Sequence, residues 1–294
     1  MNTFTISDLS RFSGIKQHTI RIWEQRYKAL KPQRSAGNTR YYDNSQLRRL
    51  LNIASLIPFG YKASELCSMK DEQLFQLVQE LQIVPGNQPD EYLISQLVSA
   101  GLRFDEEAFE SFFTKTLMRY SLRDAYTWII YPMLNRIGLM WSSNEIPPSS
   151  EHFISNLIRQ KLFTAINSLP LPKDTAARWL CFLPEDELHE MGLLMAAYLI
   201  RQAGHRPIYL GTNVPFSSVV DAAGETNPDV LLTFFVRRDS PEFHAKYILD
   251  LASHFREARI FIAADEHTAT PFPKKNIKWL KSVSELEQIL HTFV

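Results

Sequence analysis

Apolar positions recur at helical spacing from the first residues of the chain. Ile6, Leu9 and Phe12 share one face, Thr5 or Ser7 stands ready to cap it, and Gly14 opens a turn. A second helix over about 16–27 puts Ile20 and Trp23 on one face, while Lys16, Thr19 and Arg21 project elsewhere. Lys31-Pro32 ends that region, and 33–42 reads as a hairpin turning at Ala36-Gly37-Asn38. A third helix from about Asn44 carries Leu47, Leu50, Leu51 and Ala54, breaks near Pro58, and is followed by a short helix after Gly60.

Further along, 69–92 holds an amphipathic helix (Leu74, Leu77, Val78, Leu81) and then Val84-Pro85-Gly86-Asn87-Gln88-Pro89, the best linker in the chain. From 91 to 169 the pattern is helical and apolar-rich. Phe104, Phe109, Phe112, Phe113, Leu117, Tyr126, Trp128 and Ile129 are its predicted core, with turns near Phe104-Asp105, Ser121 and 145–148. From about Arg178 the period switches to short apolar strands at 179–183, 207–210, 230–236, 259–263 and 276–280. Helices over 189–203, 216–224, 242–254 and 283–290 alternate with them. This rhythm predicts a parallel sheet covered on both faces, with ligands received beyond the carboxyl ends of the strands, where the strand order reverses. His189 falls at such an end.

The fold class is therefore multidomain α and α/β. A winged helix-turn-helix occupies 1–70, a helix and linker 71–90, a four-helix bundle 91–172, and a flavodoxin-like parallel sheet 173–294.

Charge sharpens that division. The whole chain is neutral, with 32 basic and 32 acidic side chains, but residues 1–66 hold eleven Lys/Arg against four Asp/Glu, a surplus of +7. The remainder carries the matching deficit, the asymmetry of a nucleic-acid-binding end joined to an acidic body. Cys67 and Cys181 are too few and too far apart for a disulfide framework or a zinc site. No apolar run reaches the roughly 18 residues of a membrane span, and polar residues follow Met1 at once. The expectation is a reduced, cytoplasmic protein with no membrane contact.

The basic end supplies groups suited to DNA. Arg and Lys neutralise phosphates and release counterions, and Arg also reads guanine bidentately. Lys16 and Arg21 lie on the second helix with Thr19, and Arg34, Arg40, Tyr41 and Tyr42 lie on the hairpin. His18 can hydrogen-bond a base edge or a phosphate. Trp23 and Tyr42 serve equally well as packing residues, Arg26 can pair with Glu24 or a neighbouring helix, and Arg48 and Arg49 read as solvated. Positioning on phosphates is the role all the contacting groups share.

Across 4–66 this arrangement resembles the MerR family. The resemblance rests on Trp23-Glu24-Gln25-Arg26-Tyr27 and on Pro32-x-Arg34-x-x-Gly37-x-x-Arg40-Tyr41-Tyr42. It implies a recognition helix in the major groove, a wing on the flanking backbone, and double-stranded DNA bound by a homo-oligomer, a dimer or tetramer.

In the α/β half, Glu187-x-His189-x-x-Gly192 is similar to the first signature element of cobalamin-binding domains. The chemistry suits cobalt: a neutral imidazole ligates the metal while a carboxylate holding its other N–H fixes tautomer and basicity. The resemblance implies His189 as the metal ligand, with Glu187, Gly192, Thr233 and Ala263 around the corrinoid. Thr233-Phe234-Phe235 and Ala263-Ala264 depart from the family's small residues and Gly-Gly, which narrows the slot for the nucleotide tail. Trp141, Glu151 and His152 are similar to the helical cap of light-sensing repressors of the CarH/LitR type, although Ser142 stands where those often carry His. That family implies cobalamin, in the adenosyl form, as a signal that controls oligomeric state through photolysis of a cobalt–carbon bond. The alternative keeps the DNA reader and gives the α/β half a cofactor-free role in oligomerisation or protein contact. An enzyme is not expected, since no separate nucleophile–base pair, P-loop or metal cluster is present in the sequence.

Overall fold

The computed structural model describes residues 4–34, 40–57, 60–80, 90–142, 146–236, 241–264 and 276–292. The expected turn at Ala36-Gly37-Asn38, the break at Pro58 and the linker 84–89 lie outside these residues. The chain divides into two compact units, Met1–Leu157 and Ile158–Val294.

The first unit begins with α1 (Ile6–Ser13), fixed by a capping box. Thr5 Oγ1 accepts from Asp8 N, and Asp8 Oδ2 accepts from Thr5 N at 2.6 Å. Gly14, at φ +71°, turns the chain into α2 (Gln17–Tyr27). Strands β1 (Gln33–Arg34) and β2 (Arg40–Tyr41) pair antiparallel. Phe4 and Tyr42 exchange two backbone hydrogen bonds of 2.7 and 2.8 Å, tying the start of the chain to the end of the hairpin. Helix α3 (Asn44–Leu56) starts on its Asp43 cap and lays Leu47, Leu50 and Leu51 fully into the core.

Helices α4 (Ala63–Ser68) and α5 (Asp71–Glu80) follow. Arg49 corrects the expectation of a solvated side chain. Its guanidinium donates to the Ala29 and Cys67 carbonyls, each at 2.7 Å, and to the Asp71 carboxylate. Burial pushes the Cys67 thiol up to about 11.

The bundle is α6 (Glu91–Leu102), α7 (Glu106–Leu117), a continuous helical stretch and α10 (Pro148–Ser168). The stretch joins α8 (Leu122–Ala125), a π-helical turn at Tyr126–Ile130 and α9 (Tyr131–Ser142). Helix α6 is buried along nearly its whole length, which its unbroken apolar run requires. A Cβ at Gly101 would fall 2.3 Å from Ile154, so that glycine is what lets α6 approach α10. Phe109, Phe112, Phe113, Tyr126 and Ile129 are buried as expected. Phe104 and Leu117 are not. Phe104 turns the chain at φ +56° between helices, and Leu117 closes the end of α7, so both remain exposed.

The second unit is a five-stranded parallel sheet in the order β4-β3-β5-β6-β7. Its strands are β3 (Arg178–Pro184), β4 (Arg206–Val214), β5 (Val230–Phe235), β6 (Arg259–Ala264) and β7 (Ile277–Leu280). Helices α11 (Met191–Gln202), α12 (Phe216–Thr226), α13 (Pro241–His254) and α14 (Val283–Thr292) connect or close it. Leu180, Phe182, Leu231, Phe235, Ile260 and Ile262 form one core with Val219 of α12 and Ile248 and Leu251 of α13. On the other face Trp179 stacks on Phe261 at 5.6 Å. This order reverses between β3 and β5, so a crevice opens at their carboxyl ends. Helix α11 starts at Met191, leaving His189 in the loop before it. The expected start at His189 was two residues early: His189 N is taken in the loop by Glu187 Oε1, and Glu190 stands at the N-cap.

Candidate functional site

The basic end presents its groups on α2 and the hairpin. Lys16, His18, Arg21 and Arg34 are exposed, and Thr19, Arg40 and Tyr41 are half-buried. Tyr42 requires a correction. Its ring is fully buried, and its hydroxyl donates to Glu24 Oε2 at 2.9 Å, so it belongs to the packing of the hairpin and not to a DNA-facing set. Burial first, and the Glu24 bond second, push its phenol above the ordinary tyrosine range. Glu24 Oε1 accepts from Arg40 Nε at 2.9 Å, which holds that guanidinium above its usual value and aligns β2 against α2. The partner expected for Arg26 is thus taken by Arg40. One residue on α2 escaped the sequence reading: Ile22, 42% exposed among polar neighbours.

In the bundle, Trp141 is 48% exposed at the end of α9. Glu151 and His152 sit in the first turn of α10. Glu151 Oε2 lies 2.8 Å from His152 Nδ1, and its Oε1 accepts from Ser155 Oγ.

The α/β unit builds a tighter arrangement in the loop leaving β3. Asp186 N donates to Asn213 Oδ1, and Asn213 N donates to the Glu187 carbonyl, so the end of β4 braces the loop. The Glu187 carboxylate is 3% exposed and fully engaged. Its Oε1 lies 2.6 Å from His189 Nδ1 and accepts from His189 N at 3.1 Å, while Oε2 accepts from Val236 N at 2.9 Å. The carboxylate therefore ties the end of β5 to the histidine. A proton on Nδ1 shared with Glu187 puts the imidazole lone pair on Nε2, and the ring is 57% exposed. One residue on, Glu190 Oε1 forms an ion pair with Arg159 Nε, and its Oε2 accepts from the Tyr209 hydroxyl, each at 2.6 Å. Burial, followed by the Glu190 bond, lifts the Tyr209 phenol above its ordinary range. This second carboxylate fixes the loop from α10 and β4, a role that a polar helix start alone does not reveal.

The remaining expected ligands separate by face. A Cβ at Gly192 would meet the Phe234 ring at 2.9 Å. Ala263 pairs with Phe234 across β5 and β6, so by strand alternation Gly192, Phe234 and Ala263 line the α11 face. Thr233 falls on the opposite face with Leu231 and Phe235, and its buried Oγ1 has no hydrogen-bond partner among the described residues. Of the two phenylalanines expected to narrow the slot, Phe234 does so and Phe235 is core. Tested against a corrinoid, the Glu187–His189 pair fits a nitrogen donor for cobalt, and the space beside Gly192 is narrowed by an aromatic ring.

Comparison with known proteins gives these two ends a common context. Residues 4–83 match the MerR HTH family regulatory protein, and residues 93–165 match the B12 binding domain. The chain is 30% identical to the HTH-type transcriptional repressor CarA of Myxococcus xanthus over 255 residues, covering 84% of this chain and 82% of that protein. The chain belongs to the CarA/CarH family of MerR-type regulators. Identity to CarH of the same organism is 26% over 246 residues, 82% of each chain. The regulator MlrA of Escherichia coli matches over 66 residues at 32% identity, 22% of this chain and 27% of that one. In fold, the chain is similar to the Methanosarcina barkeri monomethylamine corrinoid protein, with a TM-score of 0.53 at 13% identity, covering 68% of this chain and 97% of that one. This member of the family is a DNA-binding transcription regulator with a cobalamin-binding type of sensor, and not an enzyme. Among the described residues no helix is long and apolar enough to cross a membrane.

Proposed function

We propose that this CarA/CarH-family regulator binds a duplex operator as a homo-oligomer and that adenosylcobalamin held in the α/β unit controls that assembly. The observation that carries the reading is the Glu187–His189 pair, a buried carboxylate orienting an exposed imidazole at the switch point of a parallel sheet. His189 would hold the group through a ring nitrogen, Glu187 would set its orientation and basicity, and Gly192 and Ala263 would form the adjoining wall. Trp141, Glu151 and His152 would be further contacts to the corrinoid. When bound, the group supplies a cobalt that accepts the imidazole and, in its alkyl form, a light-sensitive carbon bond. On DNA, Lys16, His18, Thr19, Arg21, Arg34, Arg40 and Tyr41 would position the reader through phosphates and base edges.

The test is reconstitution of the full chain with adenosylcobalamin in the dark, followed by gel filtration and a visible spectrum. Corrinoid should co-elute with the wild type, and His189→Ala should change the spectrum of whatever corrinoid it retains. Identical spectra for the two would remove His189 from the role of cobalt ligand. A second reading, a cofactor-free interaction module, is favoured by the Phe234 ring beside Gly192, and a chain that takes up no corrinoid would support it. For the reader, Arg21→Ala should lower the slope of log Kd against log salt by about one. An unchanged slope would remove Arg21 from the phosphate contacts.

A further inference from the structure

The exposed side of α2 is polar and basic except at Ile22 and, at its last residue, Tyr27. Lys16, Gln17, His18, Arg21, Gln25 and Arg26 are exposed on or beside this helix, whereas Ile20 is buried at 1% exposure. The single carboxylate of α2, Glu24, is turned away, its side chain 10% exposed and held by Arg40 and Tyr42. The outward face is therefore free of negative charge, which suits a phosphate-lined groove. Ile22 stands in the middle of it, one turn from His18 and from Arg26 and beside Arg21. A β-branched apolar side chain gains nothing from water there and is no stronger a helix former than the Gln and Arg around it.

Resting on the reading of α2 as the recognition helix, we infer that Ile22 is a specificity residue that packs against the C5-methyl of a thymine in the major groove. Thymine is the one base that presents a methyl group on that edge, and apolar side chains are the groups that read it. His18 and Arg21 offer hydrogen bonds to neighbouring base edges or phosphates, so Ile22 adds an apolar contact between polar ones. Its stiff χ1 suits a fixed contact better than a long, mobile side chain would.

The test uses the full chain and a duplex it selects from a random pool. Each thymine of that duplex is then replaced in turn by deoxyuridine, which removes the methyl and nothing else. At one thymine of the half-site, wild type should bind roughly three- to fivefold more weakly after replacement, the loss expected for one methyl. Ile22→Ala should bind the parent duplex more weakly by a similar factor and be indifferent to that same replacement. Ile22→Ala weakening binding while keeping the full methyl effect at every thymine would overturn the inference, as would wild type showing no methyl effect. Failure to select any duplex would defeat the reading of the reader itself. Failure in the deoxyuridine scan alone would leave that reading standing and remove only Ile22.

Discussion

Single residues decide most of the site. The pairing of Glu187 with His189 was legible in the sequence through its resemblance to the first element of the cobalamin-binding signature. The bond from Val236 N to the same carboxylate was not, because it depends on β5 lying beside β3. Phe234 illustrates the same limit. Its place in the motif was visible, but that its ring rests on Gly192 while Phe235 faces the other core follows from strand parity in three dimensions. Gly192→Ala should therefore destabilise the chain by about 1 kcal/mol, near the low end of overpacking because the ring can give way. In the Phe234→Leu background the same change should cost measurably less. Urea titration of the four variants reads the coupling, and additive effects would contradict the contact.

At the scale of elements, the strand and helix order was readable because periods of two and 3.6 switch cleanly near Arg178. What period alone misses is the ends. Strand β4 runs to Val214 instead of stopping near Leu210, since Gly211 at φ +86° and Asn213 at φ +53° carry it through two register shifts against β3. The placing of Arg49 also escaped, because a charged residue on a helix reads as solvated until the elements around it are known. Its guanidinium now joins the segment after α2, the end of α4 and the start of α5. Arg49→Met should lower stability by about 1–3 kcal/mol by leaving two carbonyls without their charged donor. Thermal unfolding of the full chain checks this, and an unshifted first transition would mean that the three bonds contribute nothing.

For the whole molecule, charge separated a basic front from an acidic remainder; the front lies within the MerR match over 4–83, whereas the B12 binding match falls on the helical segment 93–165. The coupling between them is a statement about free energy that neither end contains alone. If one ligand changes the affinity for the other, linkage demands the same factor in both directions. The direct measurement is anisotropy of a labelled operator titrated with the full chain at fixed salt, in the dark, with and without adenosylcobalamin. If the corrinoid governs DNA binding, the two apparent Kd values differ by about tenfold or more, roughly 1.4 kcal/mol of coupling. Superimposable curves, recorded while corrinoid is demonstrably bound, would contradict it.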